Sequence, residues 1–173
     1  MGADASLRTY LATLPVPTFD DPAFVTAPPL AEATVAMVTT AALHHPDQGG
    51  FGPGDRSFRQ LDQARRDLVL GHLSRELRPP GLAADLKVVY PVDRLDELAA
   101  DGVIGAVSPV HLAFLGAQDE TMSTIRLDRG PAAAAVPRDH GVDVAILPSD
   151  RCARAPCVRS HTSWRRTGSP PSR

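Results

Sequence analysis

Apolar positions along the chain alternate between short β-branched runs and stretches of helical period. The first strong run, Thr34-Val-Ala-Met-Val-Thr-Thr40, is apolar on both faces, which suits a buried parallel strand. A loop over Ala41–Phe58 follows, because Gly49, Gly50, Gly52, Pro53 and Gly54 oppose regular structure. Gln60–Leu73 has the period of an amphipathic helix ending near Gly71. A second strand is expected at Leu86–Tyr90, stopped by Pro91, then a helix Arg94–Ala100 capped by Asp93 and closed by Gly102. Val103–Val107 reads as a third strand, and Ser108-Pro109 as the start of a helix through Gly116. Gly130–Arg138 is Ala-rich and helical, with Pro137 expected to break its last turn. Val142–Leu147 reads as a fourth strand. The first thirty residues carry Pro15, Pro17, Pro22, Pro28 and Pro29 and predict an extended segment with one short helix at Ala5–Leu14.

Strands apolar on both faces, alternating with helices, imply an α/β fold of three layers. A mostly parallel sheet of Rossmann or flavodoxin-like type would carry helices on both faces. The division is 1–30 as the extended N-terminal segment, 31–147 as the α/β domain and 148–173 as a disordered tail. The expected carboxyl ends of the strands are Thr40, Tyr90, Ser108 and Leu147, where sites form in such folds. After Leu147 the pattern collapses: the tail holds six arginines and four prolines but no Leu or Ile. It supplies no helix to follow the fourth strand, so the fold is expected to be incomplete at its C-terminus.

Composition narrows the function. With 173 residues the chain has material for one core, built on Val, Leu, Ile and Ala, since only 5% of residues are aromatic. A formal net charge of -2 gives no basic surface for nucleic acid. No apolar run approaches bilayer length, and the N-terminus lacks the form of a secretion signal. Its Met-Gly start with Ser6 fits only a short, loose acylation pattern. A cytoplasmic location is expected.

The candidate chemistry lies mainly in the long loop. His44 and His45 follow the first strand and suit proton donation, because imidazole changes charge near neutral pH; two solvated loop histidines are the plain alternative. Asp55-Arg56-Ser57 would either hold a substrate carboxylate through the arginine or form a turn held by Asp55. His111 stands near a strand end, as a site residue or as part of a helical first turn. His72 and His140 read as surface residues, and the GGFGPG run lacks the GKS/T ending of a phosphate loop. Cys152 and Cys157 are either two free thiols or a redox pair; their spacing fits no common zinc site, so no metal is expected.

Three blocks resemble the glycine/sarcosine/betaine/D-proline reductase family, in its selenoprotein B subunit. They are VAMVTTAALHH…GDRSFRQL at Val35–Leu61, VVYPVDRLDELAADGVIGAVSPVHLAFLG at Val88–Gly116 and PAAAAVPRDHGVDVAIL at Pro131–Leu147. The second is the most specific, joining PxDRLxEL to GxIGxVxPxH in fixed order. Pro137 stands where the family usually carries an apolar helix residue. The resemblance implies reductive cleavage of a C–N bond in an amino acid or N-methylated amino acid, with electrons from a dithiol. A selenolate would attack the substrate carbon, its low pKa and high nucleophilicity extending the rule for thiolates. No bound cofactor is expected in this chain. The intact family member carries selenocysteine, and a partner subunit carries a pyruvoyl group. Other implied partners are acetyl-phosphate-forming or electron-transfer components and a small amino-acid substrate.

In the family the third block runs on into a loop bearing selenocysteine or cysteine, then a helix and a strand. Back-translation of the tail with GC-rich codons, read from the last base of the Pro148 codon, gives one consistent choice with those features. It starts V-stop-P-L-C-A-R-T-V-C, continues through an amphipathic helix and ends at G-I-A-T-V. The stop would be TGA, which is also the selenocysteine codon, across the codons of Ser149 and Asp150. The tail is therefore expected to be a frame-shifted remnant of the catalytic segment, with Cys152 and Cys157 close to the flanking thiols. On this reading the polypeptide lacks its nucleophile and is inactive alone. Two alternatives are a non-catalytic subunit binding a ligand or partner through His44–Phe58, and a thiol oxidoreductase using Cys152 and Cys157.

Overall fold

The computed structural model describes residues 26–71, 86–116 and 125–148, together with Thr9, Thr13 and Gln118. Its centre is β1 (Thr34–Thr39), whose last five residues are all buried. Successive residues of β1 address opposite edges. The Val35 carbonyl accepts the Ser108 amide at 2.8 Å, while the Thr34 carbonyl accepts the Asp143 amide at 3.0 Å. One edge thus takes β5 (Ala106–Val107) and β6 (Val110–Phe114), and the other takes β7 (Val144–Ile146), all parallel to β1. β3 (Phe58–Asp62) closes the far side of β6 in antiparallel register, Phe58 opposite Phe114 and Asp62 opposite Val110. A separate antiparallel pair joins β2 (Leu43–His44) to β4 (Val69–Leu70).

The edge formed by β5 and β6 is one strand with an interruption. Val35 pairs with Val107 but Val38 pairs with Leu112, so the partner advances five residues while β1 advances three. Ser108 and Pro109 take up the surplus as a bulge. Pro109 has no amide to give, and the Ser108 hydroxyl donates to the Val110 carbonyl at 2.8 Å. The Met37 amide, left without a backbone acceptor there, donates instead to His111 Nδ1 at 3.0 Å.

Helices cover both faces. α1 (Val92–Ala100) lays Val92 and Leu95 against Val35, Met37, Leu61 and Ala113. α2 (Gly130–Asp139) lays Ala133 against Val38, Leu112 and Phe114 on the opposite face. The alternation of Val35 and Met37 with Val38 assigns the faces, as the strand period requires. Burial on both faces explains why β1 carries only one partly exposed residue, Thr34. The α/β architecture is therefore as the sequence predicts, with a mostly parallel sheet, although β3 makes it mixed.

Several elements differ. Gln60–Leu73 is not a helix: Phe58–Asp62 is β3, and Leu61, fully buried, sits opposite His111. The open edge of β6 decides this, since it offers a complete ladder that outweighs a weak local helical period. The charged Arg65, Arg66 and Asp67 form ion pairs in the loop that follows β3. His72 and Leu73 lie outside the described residues. Leu86–Tyr90 is not a strand, because the amides of Val89 and Tyr90 both turn back to the Leu86 carbonyl. Val88 is 64% exposed there, while Val89 and Tyr90 enter the core.

Asp93 does not cap α1. The helix starts two residues earlier, at Val92 behind Pro91, and the Asp93 carboxylate pairs with Arg66 and Lys87. Gly102 does end it, at φ +70°. The third strand shrinks to Ala106–Val107, because the amides of Val103 and Ile104 turn back to the Leu98 carbonyl. Ser108–Gly116 is not a helix: Val110–Phe114 is β6, paired on both edges. Pro137 is accommodated inside α2, which runs on to Asp139. Thr9 and Thr13 are helical, but the rest of the expected helix at Ala5–Leu14 lies outside the described residues. No helix among the described residues is long and apolar enough to cross a membrane.

Candidate functional site

The chain leaves the carboxyl end of β1 by turning sharply over β6. Ala41 bridges Leu115, and the Ala42 amide donates to the Phe114 carbonyl at 2.9 Å. Ala42 has φ +56°, a left-handed conformation that costs an L-residue with a Cβ roughly 1–2 kcal/mol. Its side chain is fully buried against Phe51 and Leu115, which holds it there. Its carbonyl accepts the Gly71 amide at 3.0 Å and faces His44 Nδ1 at 3.4 Å. A Cβ on Gly71 would lie 2.9 Å from that carbonyl oxygen and 3.1 Å from the His44 ring, so only glycine fits.

The two adjacent histidines do different things. His45 is 1% exposed and fully engaged. Its Nε2 accepts the Asp62 amide at 3.1 Å, so its proton is on Nδ1, which donates to Asp67 at 3.1 Å. Hydrogen bonds from Arg65, opposed by desolvation, lower the Asp67 carboxyl to about 2, and Arg65 also pairs with Asp47. The His45 amide donates to Gln48 Oε1, whose own amide reaches the Gln60 carbonyl. His45 thereby ties the start of the loop to the end of β3.

His44 is 9% exposed and packs edge-on against Phe51, with centroids 6.2 Å apart. A carbonyl only accepts, so the contact with Ala42 assigns the His44 proton to Nδ1. Nε2 has no hydrogen-bond partner among the described residues, and it is not one of their buried orphan atoms, so it reaches solvent. The Nε2 edge of the ring faces Gly50, where an added Cβ would stand 3.5 Å away.

The glycine-rich loop is held from within by Arg59, a residue outside the candidate set that the sequence pattern offers. Its guanidinium lies over the Phe51 ring at 4.4 Å, donates to the carbonyls of Gly49 at 2.7 Å and Gly50 at 3.1 Å, and pairs with Asp55 at 3.2 Å. Asp55 also accepts the amide and hydroxyl of Ser57. Burial tends to raise the Asp55 carboxyl, but the Ser57 and Arg59 hydrogen bonds outweigh it and hold it below the usual range. Gln118 closes the loop by donating to the carbonyls of Asp55 and Leu115. Asp55 and Ser57 thus form a turn, and Arg56 is exposed. The aspartate four residues before Arg59 was the one signal for this clamp.

His111 lies on the α1 face of β6, away from the loop and fully buried. Accepting the Met37 amide on Nδ1 fixes its proton on Nε2, which has no partner. Tyr90 meets it edge-on at 5.6 Å, and its hydroxyl is a second buried atom without a partner. Burial lowers the His111 imidazole to about 4, with Asp96 and Arg66 acting in opposite directions, and burial raises the Tyr90 phenol.

Ser149, Asp150, Cys152 and Cys157 lie outside the described residues. His44 and His45 stand together at the carboxyl end of β1, with Asp55 and Ser57 linked to His44 through Arg59 and Phe51. Among the described residues no three His, Cys, Asp or Glu side chains are grouped to hold a metal ion. Over 121 residues the chain is 29% identical to the D-proline reductase subunit gamma of Acetoanaerobium sticklandii. It is similar to a reductase subunit. The match takes in 68% of this chain and 49% of the relative, so the chain spans about half the relative's length. No protein-family profile and no solved structure matches the chain. The similarity supports a relation to the reductases at the level of the family.

Proposed function

We propose that this chain is a subunit of an amino-acid reductase that cleaves a C–N bond of glycine, sarcosine, betaine or D-proline with dithiol-derived electrons. The similarity to a D-proline reductase subunit over 121 residues carries this reading. The fold is consistent with it, because β7 delivers the chain at Leu147 to the segment in which the nucleophile is expected. A selenolate there would displace the amine, and a neighbouring thiol would resolve the product by exchange. The residues at that point are Ser149 and Asp150, a hydroxyl and a carboxylate, neither of which matches a selenolate as a nucleophile. The polypeptide as written is therefore inactive, and Cys152 and Cys157 mark the neighbourhood of the resolving thiols. A pyruvoyl-bearing subunit is the expected partner, holding the amino substrate as a Schiff base.

The test is to sequence the gene from the Val142 codon onward and to express the chain in both frames with a pyruvoyl-bearing partner. Dithiol-dependent loss of D-proline, glycine, sarcosine or betaine is expected only from the shifted frame. Turnover by the chain as written, or a gene with no TGA across the Ser149 and Asp150 codons, refutes the nucleophile assignment. A reversible Cys152–Cys157 disulfide with a lowered thiol pKa would point to a thiol oxidoreductase instead.

A further inference from the structure

We infer that His44 alone, and not His45, is the proton donor of this site, and that Ala42 and Gly71 position it. The inference rests on the reductase reading for its reaction and on geometry for its residue. His45 cannot shuttle a proton without breaking its fold contacts. Its Nε2 lone pair is occupied by the Asp62 amide and its Nδ1 proton by Asp67, with 1% of the residue exposed. His111 is likewise committed, to the Met37 amide, inside the α1 core. His44 is the one of these three whose distal nitrogen is unpaired and open to solvent, while its proximal nitrogen is turned to a carbonyl.

That arrangement needs two unusual backbone features in one place. Ala42 is the one described non-glycine residue with positive φ, and that conformation turns its carbonyl toward the ring. Gly71 is bare where a side chain would collide with both the carbonyl and the ring. Gly50, fixed by Arg59, lies beside Nε2, where an added Cβ would make ordinary contact at 3.5 Å. Strained or side-chain-free backbone gathered around a single imidazole is costly for the fold unless the ring's orientation matters.

In the reaction, the substrate C–N bond breaks as the carbon bonds to an incoming selenolate or thiolate. The C–N electron pair goes to nitrogen, and the proton of a doubly protonated His44 passes from Nε2 to that nitrogen. The nitrogen leaves neutral, as an amine from a free substrate or as an imine from one held as a Schiff base, and His44 is left in the Nδ1–H form that the Ala42 carbonyl stabilises. The ligand class is therefore a small aliphatic substrate whose nitrogen is uncharged, an amine or a Schiff-base imine, placed against Nε2; a quaternary ammonium leaves neutral without this proton.

Four measurements decide it, three on the full chain and one on the frame-restored reductase. Nitrogen-15 NMR of the imidazoles should give His44 the Nδ1–H tautomer. Diethyl pyrocarbonate should acylate His44 at least about tenfold faster than His45 or His111, as free and bonded lone pairs differ in access. An Nε2–H tautomer, or protection equal to that of His45, overturns the assignment. Gly71→Ala should move the His44 nitrogen signals and change its acylation rate; if both stay unchanged in a folded protein, the positioning role falls. In the frame-restored reductase, His44→Gln should lower kcat about 100-fold with KM little altered, the scale of lost general-acid catalysis. Unaltered kcat overturns the donor role while leaving the reductase reading intact. Absence of turnover with His44 in place overturns the reductase reading and the donor role with it, and the tautomer and acylation rates still judge the geometry separately.

Discussion

Stability should fall steeply between pH 6.5 and 4, and His111 should account for it. The side chain is fully buried, and its Nδ1 accepts the Met37 amide where the bulge interrupts the ladder. Protonation would replace that acceptor by a donor and bury a charge. Burial accordingly lowers the imidazole from 6.5 to about 4, Asp96 partly opposing and Arg66 assisting. At roughly 1.4 kcal/mol for each pH unit, the displacement is worth about 3 kcal/mol. The sign follows from proton uptake. Below 6.5 the unfolded chain binds a proton that the folded chain refuses until about 4, so stability is whole above 6.5 and drains away as pH falls. His111→Gln keeps an oxygen to accept the Met37 amide and cannot titrate. Urea unfolding at several pH values, taken as the difference between the two proteins, cancels the other histidines. The unsubstituted protein should lose about 3 kcal/mol relative to His111→Gln over this window. Parallel curves, differing by less than about 1 kcal/mol in their change, would refute the buried-acceptor role.

Three further outcomes test other parts of the structure. Leu61→Ala removes a fully buried side chain from the centre of β3 and should destabilise by about 2–5 kcal/mol in urea titrations; a surface helix position would lose far less. Arg59→Ala removes the contacts to Gly49, Gly50 and Asp55 and the stacking on Phe51, and should cost about 2 kcal/mol. Amides of the loop from Gly49 to Ser57 should then exchange faster, and Arg59→Lys should not restore them, lacking the planar fork. Asp67 is lowered from 3.8 to about 2, chiefly by Arg65, so its contribution to stability is present above 3.8 and lost as pH falls toward 2. Asp67→Asn should flatten the acid unfolding profile in that window, as read by circular dichroism.

The parts of the fold legible in the sequence are those where local signal and tertiary demand agree. The run Thr34–Thr40 is β-branched and apolar on both faces, and it is the central strand. Gly102 and the apolar Val92, Leu95 and Ala99 mark α1, and the Ala-rich Gly130–Arg138 marks α2. The failures are strands whose identity depends on neighbours. Phe58-Arg59-Gln60-Leu61-Asp62 carries one fully buried residue, and it becomes a strand because β6 has an edge to fill. Val110–Phe114 follows Ser-Pro, a common helix start, yet Ser108 and Pro109 serve as a bulge. The histidines were visible as a pair after β1, but their separate roles rest on hydrogen bonds to Asp62, Asp67 and Ala42 that pattern alone does not specify. Arg59 was hidden for a similar reason, since its partners are mostly backbone carbonyls of a loop.

The bulge and the candidate site are connected through register. Without Ser108 and Pro109 as surplus residues, β6 would stand two positions differently against β1, a shift that preserves which side chains face α1 and which face α2. The core would hardly register the difference, because Val and Leu positions would still alternate correctly. The end of the strand would. In the observed register the Phe114 carbonyl stands where the Ala42 amide meets it and Leu115 packs over Ala42. Those two contacts hold Ala42 in its left-handed conformation, and that conformation aims the carbonyl at His44. His111, by accepting the Met37 amide inside the bulge, stabilises the register that makes this possible. A buried histidine on one face of the sheet therefore helps set the tautomer of a solvent-reaching histidine at its end. Loosening His111 should disturb His44 before it unfolds the domain.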